Sequence, residues 1–311
     1  MALPNISKAR SFWAKTITCW IPVKTWRKAL RGIILMGIGN YIRVLRNDKK
    51  TTFPHELTIA AIMKNEGPYL KEWLDFHILV GVEKFYLYDN ESTDNTRDVL
   101  APYIARGIVE YTYFPGTKQQ TPAYIDALNR FANDTRWMAV IDLDEFIVPV
   151  HTKTITELLY TLPRNFGALV ITWMMYGSSG HVHAPGGLVI ENYKYRANST
   201  RKSGCKSIVN PRLVVSWHNP HINAVAGFLV DENGRHLGRI DQTYNPPSHD
   251  KIRCNHYVTK SFDEFRTRCA KGSAGGNTAK KAWTREKFDA LDTNDIYDNI
   301  MDKYVSQLKE Q

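Results

Sequence analysis

Apolar and polar residues follow two spacings in the middle of the chain, one typical of buried strands and one typical of amphipathic helices. Residues 57–63 form an apolar run that predicts a strand, and apolar residues then recur at helical spacing from Leu70 to Ile78 until Gly81 ends the helix. The further predicted elements are strands at 84–88, 108–114 and 137–141 and helices at 96–104 and 123–131. This βαβαβαβ order predicts an α/β fold with a parallel, doubly wound sheet.

The pattern changes beyond Pro149, where shorter strands are separated by loops rich in glycine, histidine and asparagine. The predicted elements there are strands at 168–173 and 207–217 and helices near 261–271 and 294–309. Because no linker-like stretch separates the two halves, we predict that residues 51–311 form one domain with halves at 51–150 and 151–311.

Charge divides the chain at about residue 50. The sequence has 311 residues and a net charge of +10, with 41 lysines and arginines and 31 acidic residues. Residues 1–50 contain 11 of these bases and one acid, Asp48, which leaves 30 bases and 30 acids in the remainder. The basic charge therefore belongs to the N-terminal segment, and the body shows no excess charge that would indicate a nucleic-acid partner.

The N-terminal segment, residues 1–50, is predicted to be an amphipathic region that lies on a membrane. On a helix, Lys24, Arg27, Lys28 and Arg31 share one face and Trp26, Leu30 and Ile33 share another. Its longest uncharged run, 32–42, has 11 residues, whereas about 20 are needed to span a bilayer. Bases beside tryptophans favour an anionic cytoplasmic leaflet. The alternative is a basic helix packed on the protein's own body.

Two observations indicate where the protein resides. Bases recur throughout the N-terminal segment and Pro22 interrupts it, so it fits a secretion signal poorly. The four cysteines, Cys19, Cys205, Cys254 and Cys269, are widely spaced, which argues against a disulfide framework or a zinc site and fits a reducing cytoplasm. We expect a cytoplasmic protein, peripheral on the cytoplasmic face of the inner membrane.

Two carboxylates one residue apart, Asp142 and Asp144, follow the predicted strand 137–141. In α/β folds the carboxyl ends of the strands are where ligands bind. A pair of carboxylates is a hard oxygen site that suits Mg²⁺ or Mn²⁺, which leave their other positions to water and phosphate oxygens. The alternative for so short a motif is that the acids only cap the following turn.

Eight segments, taken in order, resemble glycosyltransferase family 92, a GT-A family close to family 2. They are 61–66 (AIMKNE), 72–77 (EWLDFH), 81–82 (GV), 88–94 (YDNESTD), 142–146 (DLDEF), 176–180 (YGSSG), 206–211 (KSIVNP) and 255–261 (NHYVTKS). The resemblance implies a GT-A, Rossmann-like fold with a mostly parallel central sheet. It also implies a nucleotide-sugar donor, preferably a UDP-hexose, a divalent metal, and transfer to a sugar hydroxyl with inversion.

The resemblance makes 51–150 the nucleotide-sugar half and 151–311 the acceptor half. We expect Asn65, Asp89 and Asn90 to contact the nucleotide through carboxylate or amide groups at strand ends. Asp142 is expected at the ribose or the metal with its water, and Asp144 directly on the metal.

The C-terminal half is expected to complete the site. His256 is the predicted third metal ligand, because a histidine that returns to the metal from this region is common in GT-A enzymes. Lys260 and Arg268 are candidate counterions for the diphosphate. Asp250 is the predicted catalytic base, with Asp241 as the alternative.

These features predict a metal-dependent glycosyltransferase that adds a sugar to a glycan or lipid-linked glycan in surface-polysaccharide synthesis. A non-catalytic nucleotide-sugar or glycan-binding module at the membrane is the alternative. A haloacid-dehalogenase-type phosphatase also uses D-x-D, but it needs Thr or Val where this chain has Phe146, and it places the motif at its first strand.

Overall fold

The computed structural model describes residues 3–4, 6–163, 166–198, 204–219, 221–238, 248–271 and 284–310. The strands among them are β1 (His55–Met63), β2 (Lys84–Asp89), β3 (Val109–Tyr113), β4 (Thr135–Val140), β5 (Glu145–Pro149), β6 (Phe166–Met175), β7 (Tyr195–Arg196), β8 (Cys205–Val209), β9 (Val214–Asn219), β10 (Ile222–Val225), β11 (Phe228–Val230), β12 (His236–Leu237), β13 (Ile252–His256) and β14 (Ile296–Tyr297). The α-helices are α1 (Lys8–Thr18), α2 (Lys24–Met36), α3 (Ile38–Asp48), α4 (Gly67–Leu79), α5 (Thr96–Ala105), α6 (Gln120–Phe131), α7 (Ile155–Thr161), α8 (Val189–Asn192), α9 (Phe262–Ala270), α10 (Arg285–Leu291) and α11 (Asp302–Lys309).

The N-terminal half of the body is the predicted parallel sheet. β1 pairs in parallel with β2 and β4, and β2 pairs in parallel with β3. The connecting helices α4, α5 and α6 match the predicted spans to within a few residues. The α/β class is therefore confirmed, and the carboxyl ends of β1, β2 and β4 lie at one edge of the sheet.

The C-terminal half extends this sheet with mixed pairing. β8 lies antiparallel between β4 and β6, and β13 joins the other end of β6 in parallel while pairing antiparallel with β5. The central sheet thus has ten strands, with β12, β11, β6, β8, β4, β1, β2 and β3 in order, β13 paired with β6, and β5 paired with β13. The pairing of β13 brings the last part of the chain to the loop that follows β4.

Two predicted elements in the C-terminal half are wrong in their limits. The strand predicted at 207–217 is two strands, β8 and β9, separated by a 3₁₀ turn at Pro211–Leu213. Pro211 cannot donate to a sheet, and the Asn210 side chain accepts the Arg212 N–H, which favours a turn. The helix predicted at 294–309 is limited to α11, because β14 occupies its start. The helix predicted near 261–271 is confirmed as α9.

Buried side chains of α4 form hydrogen bonds to the backbone of β5. The Trp73 indole donates to the Glu145 carbonyl at 2.8 Å, and His77 Nε2 accepts the Ile147 N–H at 3.2 Å. Burial lowers the pKa of His77 to about 3, so its imidazole is neutral, with Nδ1 left to donate to the Trp73 carbonyl at 2.8 Å. These bonds position Glu145, the first residue of β5.

The N-terminal segment forms three helices, of which α2 and α3 contact the body. A Cβ added to Gly32 would lie 2.0 Å from the Val225 carbonyl oxygen, so only glycine permits this approach. Met36 and Val44 are buried against Leu213, Val215 and Ala226. The body-facing residues Ala29, Gly32 and Met36 lie on neither of the two predicted helix faces.

An ion pair of Asp48 joins the end of α3 to the body. Its carboxylate lies 2.8 Å from Nε of the buried Arg212, whose guanidinium also packs on the Phe53 ring at 4.1 Å. The domain boundary at residue 50 stays a prediction, since these contacts join the two sides of it. None of the helices in the described part of the chain is long and apolar enough to cross a membrane.

Candidate active site

A cavity of about 510 Å³ opens at the carboxyl edge of the sheet. It is lined by residues from the end of β1, from the loop 142–144 and from the segment that runs from Tyr257 into α9. Its size falls within the roughly 300–1,000 Å³ typical of small-molecule sites. Parallel strands and the late return of β13 together build this cavity.

Asp142 lines the cavity in an ion pair. Its carboxylate lies 2.8 Å from the Lys206 ammonium and accepts from Gln120 Nε2 at 3.0 Å and from the Tyr124 hydroxyl at 3.1 Å. Burial opposes ionisation of Asp142, but Lys206 outweighs it and lowers the pKa of the carboxyl. Asp142 is therefore held as a carboxylate in a fixed orientation.

Lys206 is a buried cation between two acids. It lies on β8 with its side chain fully buried, 2.8 Å from Asp142 and 3.3 Å from Glu145. Burial acts to lower its pKa, but the two carboxylates raise it well above the ordinary value. Nothing in the spacing of the sequence assigned Lys206 this role, although it begins one of the segments that resemble family 92.

Asp144 and His256 lie close together, and their role as metal ligands stays a prediction. His256 Nε2 lies 3.5 Å from the Asp144 carboxylate, and Arg268 lies 3.3 Å from the same oxygen. Burial opposes ionisation of Asp144, but His256 and Arg268 hold its pKa far below the usual range. His256 faces Glu145 in the antiparallel pairing of β13 with β5, which explains why a residue so distant in sequence reaches this loop.

Asp144, Glu145 and His256 could hold a metal ion. One ligand atom from each lies within 4.8 Å of the others. Oε1 of Glu145 is buried without a hydrogen-bond partner, and burial raises the pKa of Glu145 to about 7. A cation would satisfy this arrangement of two carboxylates and an imidazole, and the donor set suits Mn²⁺ or Mg²⁺.

The predicted metal ligands are thus brought together in part. Asp144 and His256 belong to the group that could hold a metal ion, and the third member of that group is Glu145 where Asp142 was predicted. Asp142 has Lys206 as its immediate counterion, so metal binding by Asp142 stays a prediction. Glu145 was within the motif but unassigned, and only the pairing of β13 with β5 shows that it faces His256.

Asn65, Asp89 and Asn90 stabilise the loops beside the cavity. Asp89 accepts from the Ser92 N–H at 2.9 Å and from the Tyr111 hydroxyl at 2.8 Å. The Asn90 amide donates to the carbonyls of 114 and 116, and Asn65, at φ +53°, accepts the N–H of residue 93 at 2.7 Å. None of these three described side chains lines the cavity, and their contact with a nucleotide stays a prediction.

Four cationic side chains, the cationic wall, line the cavity together with the acids Glu66, Asp263 and Glu264. Lys260 lies 3.7 Å above the Tyr69 ring, and Lys271 lies 3.6 Å from Glu66. Both lysines line the cavity together with Lys64 and the half-exposed Arg268. The cavity therefore places cations beside the Asp144 group, with Lys260 and Arg268 in the region predicted for them.

The two candidate bases from sequence have different outcomes. Asp250 is exposed and does not line the cavity. It lies before β13 begins, whereas His256 ends that strand, so the length of β13 separates the two residues. Asp241 lies outside the described residues. Asp263, which sequence analysis did not select, lines the cavity and lies 2.7 Å from His183 Nδ1.

Residues 60–274 match the family model described as Glycosyltransferase family 92. The chain belongs to glycosyltransferase family 92. This confirms the resemblance inferred from the ordered motifs, all eight of which lie within the matched residues.

Family 92 proteins of plants are among its relatives. One from Ricinus communis is 29% identical over 71% of this chain and 38% of its own length. One from Arabidopsis thaliana is 26% identical over 72% and 38%, and one from Oryza sativa is 26% identical over 82% and 44%. The family 92 chain described here thus spans less than half the length of these relatives.

Similarity to solved structures is low. S. aureus TarS 1-349 is 12% identical with a TM-score of 0.39, over 76% of this chain and 69% of TarS. Glucosyl-3-phosphoglycerate synthase from Mycobacterium tuberculosis, in a complex with Mn²⁺, UDP and glucosyl-3-phosphoglycerate, is 15% identical with a TM-score of 0.27, over 42% and 48%.

Proposed function

We propose that this family 92 chain is a metal-dependent glycosyltransferase that moves a hexose from a UDP-sugar to a glycan or lipid-linked glycan. The observation that carries the proposal is that Asp144, a member of the candidate metal group, lines the same cavity as four cationic side chains. Asp144, Glu145 and His256 can hold a divalent ion, and lysines 64, 260 and 271 with Arg268 form a cationic wall. A sugar diphosphate needs both, because its phosphates bind a metal and several cations at once.

Mn²⁺ or Mg²⁺ bound at this group would neutralise negative charge that grows on the departing nucleoside diphosphate. Asp144 is the firmest ligand, since its low pKa keeps it ionised at any working pH. His256 presents Nε2 toward Asp144, and Glu145 supplies a second carboxylate. Lys206 keeps Asp142 oriented beside them, where Asp142 can reach the ribose or water.

The cationic wall is proposed to bind the diphosphate itself. Lys260 is fixed over the Tyr69 ring, which limits the entropy that it loses on binding phosphate. Arg268 extends from α9 with its side chain half exposed and can approach a phosphate as a planar fork. Both residues can therefore stabilise the leaving group while it departs.

Inversion requires a carboxylate that takes the proton of the acceptor hydroxyl as its oxygen attacks the sugar. We assign this role to Asp263, because it lines the cavity from the first turn of α9 and is oriented by His183. Glu264, its neighbour, accepts from the hydroxyls of Tyr69, Tyr193 and Ser261 and is fixed by them. Asp250 remains the competing prediction from sequence.

The proposal extends to a membrane surface and to surface-polysaccharide synthesis at the cytoplasmic face of the inner membrane. Phe12, Trp13, Ile17 and Trp20 are 63%, 59%, 55% and 84% exposed. They share the N-terminal segment with 11 bases. Exposed aromatic side chains among bases are the composition of an interfacial anchor for anionic lipid.

The experiment is a nucleotide-release assay on purified protein. UDP-glucose, UDP-galactose and UDP-N-acetylglucosamine are incubated with Mn²⁺ or Mg²⁺ and glycan acceptors, and free UDP is measured before and after chelation. We expect acceptor-dependent UDP release that chelation abolishes. The His256→Ala variant should need a metal concentration about 10–100-fold higher than wild type for the same UDP release. Donor binding without release in every combination would instead indicate a non-catalytic module.

A further inference from the structure

A second cavity, of about 230 Å³, lies between α2 and the outer strands of the body. Leu35 of α2 and Leu229 and Leu237 of the body give it an apolar lining, and Lys28, Arg31 and His218 add basic groups. Lys28 and His218 are exposed, whereas Leu237 is buried. The basic groups therefore lie toward solvent and the hydrocarbon side chains lie deeper.

This combination of size and chemistry restricts what the cavity can bind. Its volume is below the roughly 300–1,000 Å³ of sites for whole small molecules, and less than half of the 510 Å³ at the candidate active site. The lining residues within the described ranges include no carboxylate. A small anionic head joined to hydrocarbon fits both properties.

The surroundings of the cavity indicate that such a ligand arrives from a membrane. Trp26, next to the cavity residue Thr25, is 57% exposed and packs edge-on against Phe228 at 5.0 Å. Arg31 donates to Thr18 Oγ1 at 3.2 Å, which links the cavity to α1 and its exposed aromatic side chains. The cavity thus lies beside the surface proposed above to contact lipid.

We propose that this cavity binds the phosphate head and adjoining hydrocarbon of one anionic phospholipid molecule. This inference rests on the proposed membrane association, and it adds recognition of an individual lipid to attraction by surface charge. The site lies near the candidate active site along the chain, because His218 of β9 lines this cavity and His221, which follows β9, lines the larger one.

The test uses full-length protein and dihexanoylphosphatidylglycerol as a monomeric probe, with titration calorimetry as the readout. We expect one lipid to bind per chain, and Ala224→Leu, which fills the cavity without a charge change, to weaken binding at least about tenfold. Lys28→Gln should weaken it about fivefold. Lys15→Gln removes the same charge from α1, away from the cavity, and should leave binding unchanged.

Several outcomes would overturn the inference. Equal binding of dihexanoylphosphatidylcholine would remove the need for an anionic head, and equal binding of inorganic phosphate would make this a phosphate site without lipid. Equal losses of lipid binding in Lys28→Gln and Lys15→Gln would show that general electrostatic attraction, and not this cavity, binds the lipid. If circular dichroism shows that Ala224→Leu does not fold, comparison of Lys28→Gln and His218→Gln with Lys15→Gln still tests whether lipid binds in this cavity.

The same protein preparations separate this inference from the proposed function. UDP release with a short soluble acceptor does not require the lipid cavity, so Ala224→Leu should retain it. One-to-one lipid binding without any transferase activity would support the cavity and overturn the enzyme. Binding to anionic vesicles without binding of the monomeric probe would support membrane association and overturn the lipid cavity.

Discussion

The carboxyl edge of the sheet and the N-terminal segment both carry many charges, but they use them in opposite ways. At the sheet edge, Lys206 is fully buried and neutralised by Asp142 and Glu145 within 3.3 Å. In the N-terminal segment, 11 bases face one acid, and that acid is paired with Arg212 of the body. Paired buried charges specify one geometry, whereas an excess of exposed charges of one sign attracts a partner without fixing its position.

The largest expected effect comes from the acid at the centre of the buried network. Asp144→Asn should reduce transfer by about 1,000-fold or more, equivalent to roughly 4 kcal/mol, because it removes a metal ligand. UDP release with saturating Mn²⁺ measures it. Asp98→Asn, an exposed acid on α5, is the matched control and should be active. Wild-type turnover in Asp144→Asn would remove the metal site from the proposal.

Lys206→Met tests whether the buried charges depend on one another. It leaves Asp142 and Glu145 close together without their cation, and breaking such a buried pair costs about 3–5 kcal/mol of unfolding free energy. Urea unfolding at pH 7.5 measures the loss, with the part-exposed Lys84→Met as control. Stability equal to wild type would show that solvent already screens this cluster.

A smaller effect compares two aspartates as the catalytic base. Asp263→Asn should lower turnover about 100-fold with donor affinity retained, because the carboxylate acts only on the acceptor proton. Asp250→Asn, at the far end of β13, should change turnover little. UDP release at varied acceptor concentration measures both. A larger loss of turnover in Asp250→Asn than in Asp263→Asn would favour Asp250, the base predicted from sequence, over Asp263.

Glu72 provides a pH test of burial in the body. Its carboxylate accepts the N–H groups of Val189 and Ile190 at 2.7 and 2.9 Å, and burial raises its pKa to about 7. A raised folded-state pKa stabilises the fold below the unfolded value of 4.5, and this contribution is lost as pH rises through 7.

We therefore expect Glu72 to add about 2 kcal/mol of pH dependence between pH 4.5 and 8. Urea unfolding across this range should show a flatter stability profile in Glu72→Gln than in wild type. An identical slope in both proteins would mean that Glu72 keeps the same pKa in the folded and unfolded states. The exposed Glu110 side chain, 43% accessible, gives the control variant Glu110→Gln.

The smallest single effects are expected in the N-terminal segment. Each exposed base there should contribute about 1 kcal/mol to binding of anionic vesicles, so Lys15→Gln should weaken it about fivefold. Vesicle sedimentation at rising salt measures this, and binding should fall as the charges are screened. Failure of full-length protein to bind anionic vesicles at low salt would leave the segment a structural element.

Removal of the whole segment has a different expected result from removal of α1. Deletion of residues 1–50 would expose Leu213 and Val215 and leave Arg212 buried without Asp48. We therefore expect deletion of 1–22, which removes three of the 11 bases and the exposed aromatic residues of α1, to weaken vesicle binding with the fold intact. Deletion of 1–50 should abolish vesicle binding and lower thermal stability as well.

The sequence was sufficient where structure follows from local periodicity. The alternation of β1 to β4 with α4 to α6, and the position of Asp142 and Asp144 after β4, could all be predicted. Such elements depend on apolar spacing within one segment, which a single sequence displays in full. The order of the motifs along the chain likewise indicates family 92.

Only the tertiary structure decided which partner each charged side chain has. Asp142 meets Lys206 because β8 inserts beside β4, and Glu145 faces His256 because β13 returns to pair with β5. Asn65, Asp89 and Asn90 were placed on the correct edge, yet their side chains bond to neighbouring loops. Strand register between distant segments is set by packing of the whole core, so local pattern determines where a carboxylate lies and long-range pairing determines its chemistry.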